Sequence, residues 1–393
     1  MAFNIPDVDI DIYSREALAD PYENYRIFRD TAPIVRLPKY DLYLMARFAD
    51  VQAALKNNAL FSSASGVAMN DLMNKAIAGS TLHTDAPYHT ILRSIVGRPL
   101  TPGRLGELRQ LLSELAEQLV ERLVAKGDFD AATELAPHLP VTVVSELVGL
   151  PEEGRERMLT WAGAVFNSLG PRGLSLTESA LPIVEEMVAY ARGCTPDRVK
   201  PGSWVAKLYE AAEAGEISLE QVGPLMGDYL GPSLDTTILA TGSTIALFAK
   251  HPDQWDKLRE KPSQIPNAIN EAIRLESPIQ AFSRVLTDDF SVEDQRLHKG
   301  ARVLVIYASG NRDERHWEDP ERFDITRRAN DHLGFGHGIH MCMGANLARM
   351  EISALLSALI PRVERFELHA AERISNNVLR GFKSLKLTAH AAT

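Results

Sequence analysis

Cysteine is almost missing from this chain. Cys194 and Cys342 are the two among 393 residues, so a disulfide framework is excluded and a reducing compartment fits the usage. Long apolar runs are missing as well. No stretch reaches the roughly 18–20 residues that cross a bilayer, so no membrane span is expected. Basic excess is lacking: 42 Lys+Arg stand against 52 Asp+Glu, a net charge of −10, which argues against a nucleic-acid partner. The amino terminus, acidic at Asp7, Asp9 and Asp11, has neither the basic nor the apolar region of an export signal. A soluble, cytoplasmic protein is the expectation. Linkers, repeats and low-complexity tracts are also absent, which predicts one domain over residues 1–393.

What is present is mostly helical pattern. Residues 33–46 read as a hairpin, with β-branched and aromatic residues around a turn. Leu105, Leu108, Leu111, Leu112, Leu115, Leu119 and Leu123 recur at helical spacing over 104–126, and Gly127 stands where that helix would stop. Further helical pattern covers 142–168, 178–193, 204–214, 219–250, 254–260, 263–276 and 345–360. Strand pattern returns at 302–307 and near the carboxyl terminus. Regular βαβ alternation is missing, so the pattern predicts a mainly α domain with small β-sheets and excludes a doubly wound fold.

The densest chemistry lies between His332 and Glu351. Gly334, Gly336 and Gly338 precede Cys342 and Gly344 follows it, which lets the backbone approach a flat ligand closely. A helix opens just after the cysteine, and its N–H groups favour a thiolate. An anionic sulfur in such a nest suits a haem iron, with Phe335 shielding it. A buried cysteine is ordinarily a small apolar core residue. Zinc is the other reading, from His332, His337, His340 and Cys342, although structural zinc usually draws paired ligands from two separated turns.

The loop resembles the haem-binding signature of the cytochromes P450, Phe-Gly-x-Gly-x-His-x-Cys-x-Gly, at Phe335, Gly336, Gly338, His340, Cys342 and Gly344. The resemblance implies the cytochrome P450 fold and haem b, with Cys342 as iron ligand and His340 at a haem propionate. Other motifs resemble the family in order. His89 and Arg93, one helical turn apart, and Arg284 match positions that hold propionates. Glu271, Arg274 and Arg322 look like a structural Glu-Arg-Arg triad; in isolation the first two are an ordinary i,i+3 pair.

Pro232 interrupts the long helical pattern, which can open a groove over the iron. Thr236, four residues on, can bond the Pro232 carbonyl or point into that groove. Reductive cleavage of dioxygen consumes two protons, and Asp235 beside Thr236 suits a relay. The pair resembles the family's acid–alcohol motif, although Pro232 and Ser233 replace its small residues. The resemblance implies a monooxygenase that uses O2 and takes electrons from a ferredoxin and an NAD(P)H-dependent ferredoxin reductase. Direct use of peroxide and a non-catalytic haem sensor are the competing readings.

Family positions predict a small apolar pocket from Ser65, Met69, Val165, Phe166, Leu169, Leu230, Pro232, Ile279 and Phe282. The segments at 165–171, 276–282 and 376–381 look like those of bacterial members that hydroxylate or O-demethylate para-substituted benzoates. Ser65, Gly227 and Asp228 stand where those members bind the carboxylate. Asp228 would repel an anion and could accept a hydrogen bond from a phenol, so a small, neutral aromatic substrate is expected.

Overall fold

The computed structural model describes residues 5–392. The predicted hairpin is present: β1 (Ile34–Leu37) and β2 (Leu42–Met45) pair antiparallel, Ile34 opposite Met45, around a left-handed Asp41. With β3 (Phe61–Ser62), β4 (Ala281–Leu286) and β5 (Arg302–Ile306) they form a five-stranded sheet ordered β1-β2-β5-β4-β3. Along β4, Phe282 and Arg284 face the same way, as the two-residue period of a strand requires; both line the large interior cavity. A three-stranded sheet uses 128–130, 363–373 and 382–391.

Helices make up most of the rest. Those that position the site are α1 (Tyr88–Val96), α2 (Arg109–Lys126), α3 (Glu152–Ser168), α4 (Ser175–Gly193), α5 (Leu219–Leu230), α6 (Asp235–Lys250), α7 (Ile265–Glu276) and α8 (Ala345–Leu359). α2 packs on α8 and buries Leu112, Leu119 and Leu123 in one core cluster with Ile352, Leu355 and Leu359. α6 runs through the middle, buried on nearly every face from Leu239 to Phe248. Among the described residues no helix is long and apolar enough to cross a membrane.

Three predicted helices are divided. The 104–126 pattern begins with a separate short helix, Pro102–Gly106, and Leu111 is left exposed. Gly127 ends it as expected, at φ +79. The 142–168 pattern breaks at Gly149, in a left-handed conformation, and at Pro151. The 219–250 pattern becomes α5 and α6, because Pro232 has no N–H to continue the ladder.

Candidate active site

The cavity is walled by α1, the end of α3, α5, the start of α6, β4 and the loop leading into α8. The loop folds tightly. Cys342 donates its backbone N–H to the Phe335 carbonyl at 2.8 Å, and Met341 donates to Gly338 at 3.2 Å. Gly338 has φ +69, and a Cβ there would lie 2.4 Å from the Leu55 carbonyl oxygen, so glycine is required twice over. Cys342 is accessible, lining both the cavity and an outer cleft. Burial pushes its thiol up, while the N–H groups of Gly344 and Ala345 and the charges of Arg93 and Arg349 pull the other way. Phe335 borders both the cavity and an outer cleft, and the Arg349 guanidinium lies 4.4 Å above its ring.

One edge of the cavity collects nitrogen donors. His89 and His340 meet edge to face with ring centroids 4.4 Å apart. Both ring nitrogens of His89 and Nε2 of His340 are buried without a partner. Burial holds both imidazoles below their usual range, His340 at about 2. Arg93 donates to the Met341 carbonyl. Arg284, 3% exposed, donates to the Ser283 carbonyl at 2.8 Å. Among the described residues neither guanidinium has a carboxylate within ion-pairing distance. Arg284 is a buried cation left this way and Arg93 a half-buried one, and together they call for an anion.

Across from the loop, the break between α5 and α6 opens the wall. Thr236 Oγ1 donates to the Pro232 carbonyl at 2.9 Å, and Ser233 Oγ donates to Tyr229. Pro232 and Thr236 line the cavity, whereas Asp235 turns toward Gly163 of α3, whose added Cβ would lie 3.3 Å from Oδ2. Burial pushes the Asp235 carboxyl up to about 7. Val165, Phe166, Leu169, Ile279 and Phe282 also line the cavity.

Three pocket expectations are corrected. Ser65 is exposed, its carbonyl facing Arg302. Met69 packs outside, against the cluster of Tyr25 and Phe28, with its N–H on the Leu169 carbonyl. Leu230 is fully buried in the core around Trp161 and Leu208, while Gly227, Asp228 and Gly231 take the cavity face of that helix.

The Glu-Arg-Arg network is corrected in its third member. Arg274 and Glu271, both fully buried, pair at 2.7 Å. The second arginine on Glu271 is Arg327, at 3.1 Å. Arg322 is 63% exposed on its side chain and pairs with Asp324. Phe323 plugs the core against Phe248, and its chain neighbour Arg322 is thereby turned outward. Arg327, four residues past that phenylalanine, is the one turned inward to Glu271.

A family model described as Cytochrome P450 matches residues 203–387. CYP199A2 of Rhodopseudomonas palustris is 36% identical over 389 residues, 98% of this chain and 94% of that protein. The chain is a cytochrome P450. A linalool 8-monooxygenase of Pseudomonas putida is 30% identical, over 96% of this chain and 97% of its own. The structure of CYP109E1 from Bacillus megaterium in complex with testosterone superposes with a TM-score of 0.85 at 25% identity, covering 96% of this chain and 99% of that one. The fold is thus the single-domain, mainly helical P450 fold, and the cofactor of this P450 family is haem b.

The residues present fit that cofactor. A cavity-facing thiol stands on one side, and unpaired nitrogen donors gather at one edge where carboxylates would lie. Sequence reasoning missed further wall residues of this P450. His83, in the turn before α1, lines the cavity, as does Thr81. Glu351 of α8 also lines it, 1% exposed, both carboxyl oxygens unpartnered, its acid pushed up to about 8 by burial. Its place nine residues after Cys342 on a helix was the signal available.

Proposed function

We propose that this P450 is a cytoplasmic, ferredoxin-fed monooxygenase that inserts one oxygen atom of O2 into a small, neutral aromatic substrate, by hydroxylation or oxidative O-demethylation. Haem held by Cys342 supplies the activation of dioxygen; the protein's residues bind, orient and move protons. His89, Arg93, Arg284 and His340 hold the cofactor's carboxylates through charge-assisted hydrogen bonds. Phe335 and Gly344 flank the sulfur and shape its side of the cavity. Thr236 orients a proton donor at the cavity wall, and Asp235 behind it is a carboxylic acid poised to release a proton near neutral pH. In this proposal electrons come from a ferredoxin and its NAD(P)H-dependent reductase, as the family resemblance implies.

The observation that carries the substrate reading is Asp228. Its Oδ2 accepts from the Thr81 N–H at 2.9 Å and the Thr81 hydroxyl at 2.6 Å. Among the described residues Oδ1 has no hydrogen-bond partner, and the residue faces the cavity. A carboxylate on this wall repels a benzoate and accepts from a phenolic O–H, while Val165, Phe166, Leu169 and Phe282 contact a ring. The test is titration of ferric holoprotein followed by the spin-state change. A para-alkylphenol is expected to bind at least about tenfold more tightly than para-methoxybenzoate. A full high-spin shift with low micromolar para-methoxybenzoate would overturn the substrate class. A reduced carbonyl complex lacking the red-shifted Soret band would overturn Cys342.

A further inference from the structure

His83 sits in a short turn, Thr81–His83, between β3 and α1. The turn is pinned on both sides. Thr81 is held to Asp228 of α5, and the Thr84 hydroxyl donates to the carbonyls of Ser80 and Thr81 at 3.3 and 3.1 Å. The His83 ring therefore has little freedom, and it is 5% exposed. Nδ1 lies 2.9 Å from the Ser80 hydroxyl. Nε2 is buried without a partner, and the residue lines the cavity.

A buried imidazole with one satisfied nitrogen leaves the other as an unmet hydrogen-bonding group, at an appreciable cost. When the serine hydroxyl donates to Nδ1, the proton of the neutral ring is on Nε2. The ring is then a donor aimed at the cavity. Arg284 and His340 line the same cavity and lie near enough to act electrostatically with the ring. Those two belong to the edge where the guanidinium groups lack counter-ions. An acceptor with negative charge completes all of these groups together. The apolar wall formed by Val165, Phe166 and Leu169 belongs to other elements.

We propose that His83 is a further cofactor-binding residue, its Nε2–H donating to a haem carboxylate beside Arg284 and His340, with Ser80 positioning the ring. The inference rests on the haem reading of the cavity. It adds an imidazole that the signature motifs do not include, and it assigns the otherwise idle bond of Ser80 a purpose: fixing the tautomer. The same pinning makes the Asp228–Thr81 bond a support for the cofactor edge as well as a substrate contact.

The test compares His83→Asn and His83→Gln in full-length ferric holoprotein. The Asn amide reaches Ser80 but falls short of the cavity; the Gln amide extends to the Nε2 position. Transfer of haem to excess apomyoglobin is expected to be about 10- to 100-fold faster in His83→Asn, the equivalent of one lost charge-assisted bond. His83→Gln is expected within about threefold of the parent, and Ser80→Ala between the two. Resonance Raman should shift a propionate bending mode in His83→Asn and leave it in place in His83→Gln, a change that loosened packing alone would not produce. Equal haem-loss rates and an unmoved mode in His83→Asn would overturn the proposal. The carbonyl spectrum of each variant keeps the two readings apart: a retained red-shifted Soret band preserves thiolate ligation whatever His83 does.

Discussion

At the scale of single residues, the sharpest test concerns which arginine completes the buried network. Glu271 is fully buried and takes Arg274 on both oxygens, at 2.7 and 3.0 Å, and Arg327 on one. Arg327 also donates to the carbonyls of Glu318 and Asp319, tying the 318–327 segment to α7. Removing it leaves part of a buried carboxylate and two carbonyls unmet, and Arg327→Ala is expected to cost roughly 2–4 kcal/mol. Arg322→Ala removes an exposed pair and is expected to stay within about 0.5 kcal/mol. Urea denaturation of both variants decides it; equal losses would show that the network does not depend on the geometry described. The sequence motif around Phe323 marks the segment, but choosing between its arginines needs the direction of each side chain. That direction follows from Phe323 entering the core, a packing event with a partner, Phe248, far away in the chain.

Among elements, the break between α5 and α6 matters most. Local pattern runs apolar through 219–250 and reads as one helix, because periodicity records which face is buried and not where the backbone ladder is interrupted. Pro232 announced an interruption, and the structure places it as a full stop of residues 231–234 with Thr236 bonding back across it. The elements themselves were legible elsewhere, including the hairpin and the helix after Cys342, since caps, glycines and prolines are local signals. The pocket was less so: Leu230 and Met69 are apolar and near the right loops, and only tertiary rotation of α5 and packing near Tyr25 remove them from the wall. The break carries a functional expectation. Thr236→Val should leave the substrate-induced spin shift within about twofold while lowering product formed per NADPH by about tenfold or more, as loss of a positioned proton donor does. Asp235→Asn should lower turnover by about 10- to 100-fold with the same binding. Stopped-flow turnover with product analysis measures both, and unchanged coupling in the two variants would remove the relay from the account.

For the whole molecule, buried acids set the response to pH. Asp228, Asp235 and Glu351 are pushed up by burial to about 6, 7 and 8. A carboxyl whose proton affinity rises on folding binds a proton as the chain folds. Its contribution is fully present below the unfolded value near 4 and is lost as pH climbs through the folded one. Glu276 works in the opposite sense: burial alone would raise it, but Arg373 and Arg380 hold it below its usual range, so its contribution is lost on acidification. Between these limits stability is expected to peak in mildly acidic solution and to decline toward pH 9. Glu351→Gln removes the group with the highest value and keeps its volume. The variant should therefore gain on the parent as pH rises from about 5 to 8, by at most about 1.4 kcal/mol per pH unit. Thermal unfolding of holoprotein across that range reads the effect as a Tm difference that grows with pH. A difference that stays constant, or shrinks, would mean that Glu351 is ionised in the folded protein, with a cation or a chain of water supplying what the packed residues around it do not.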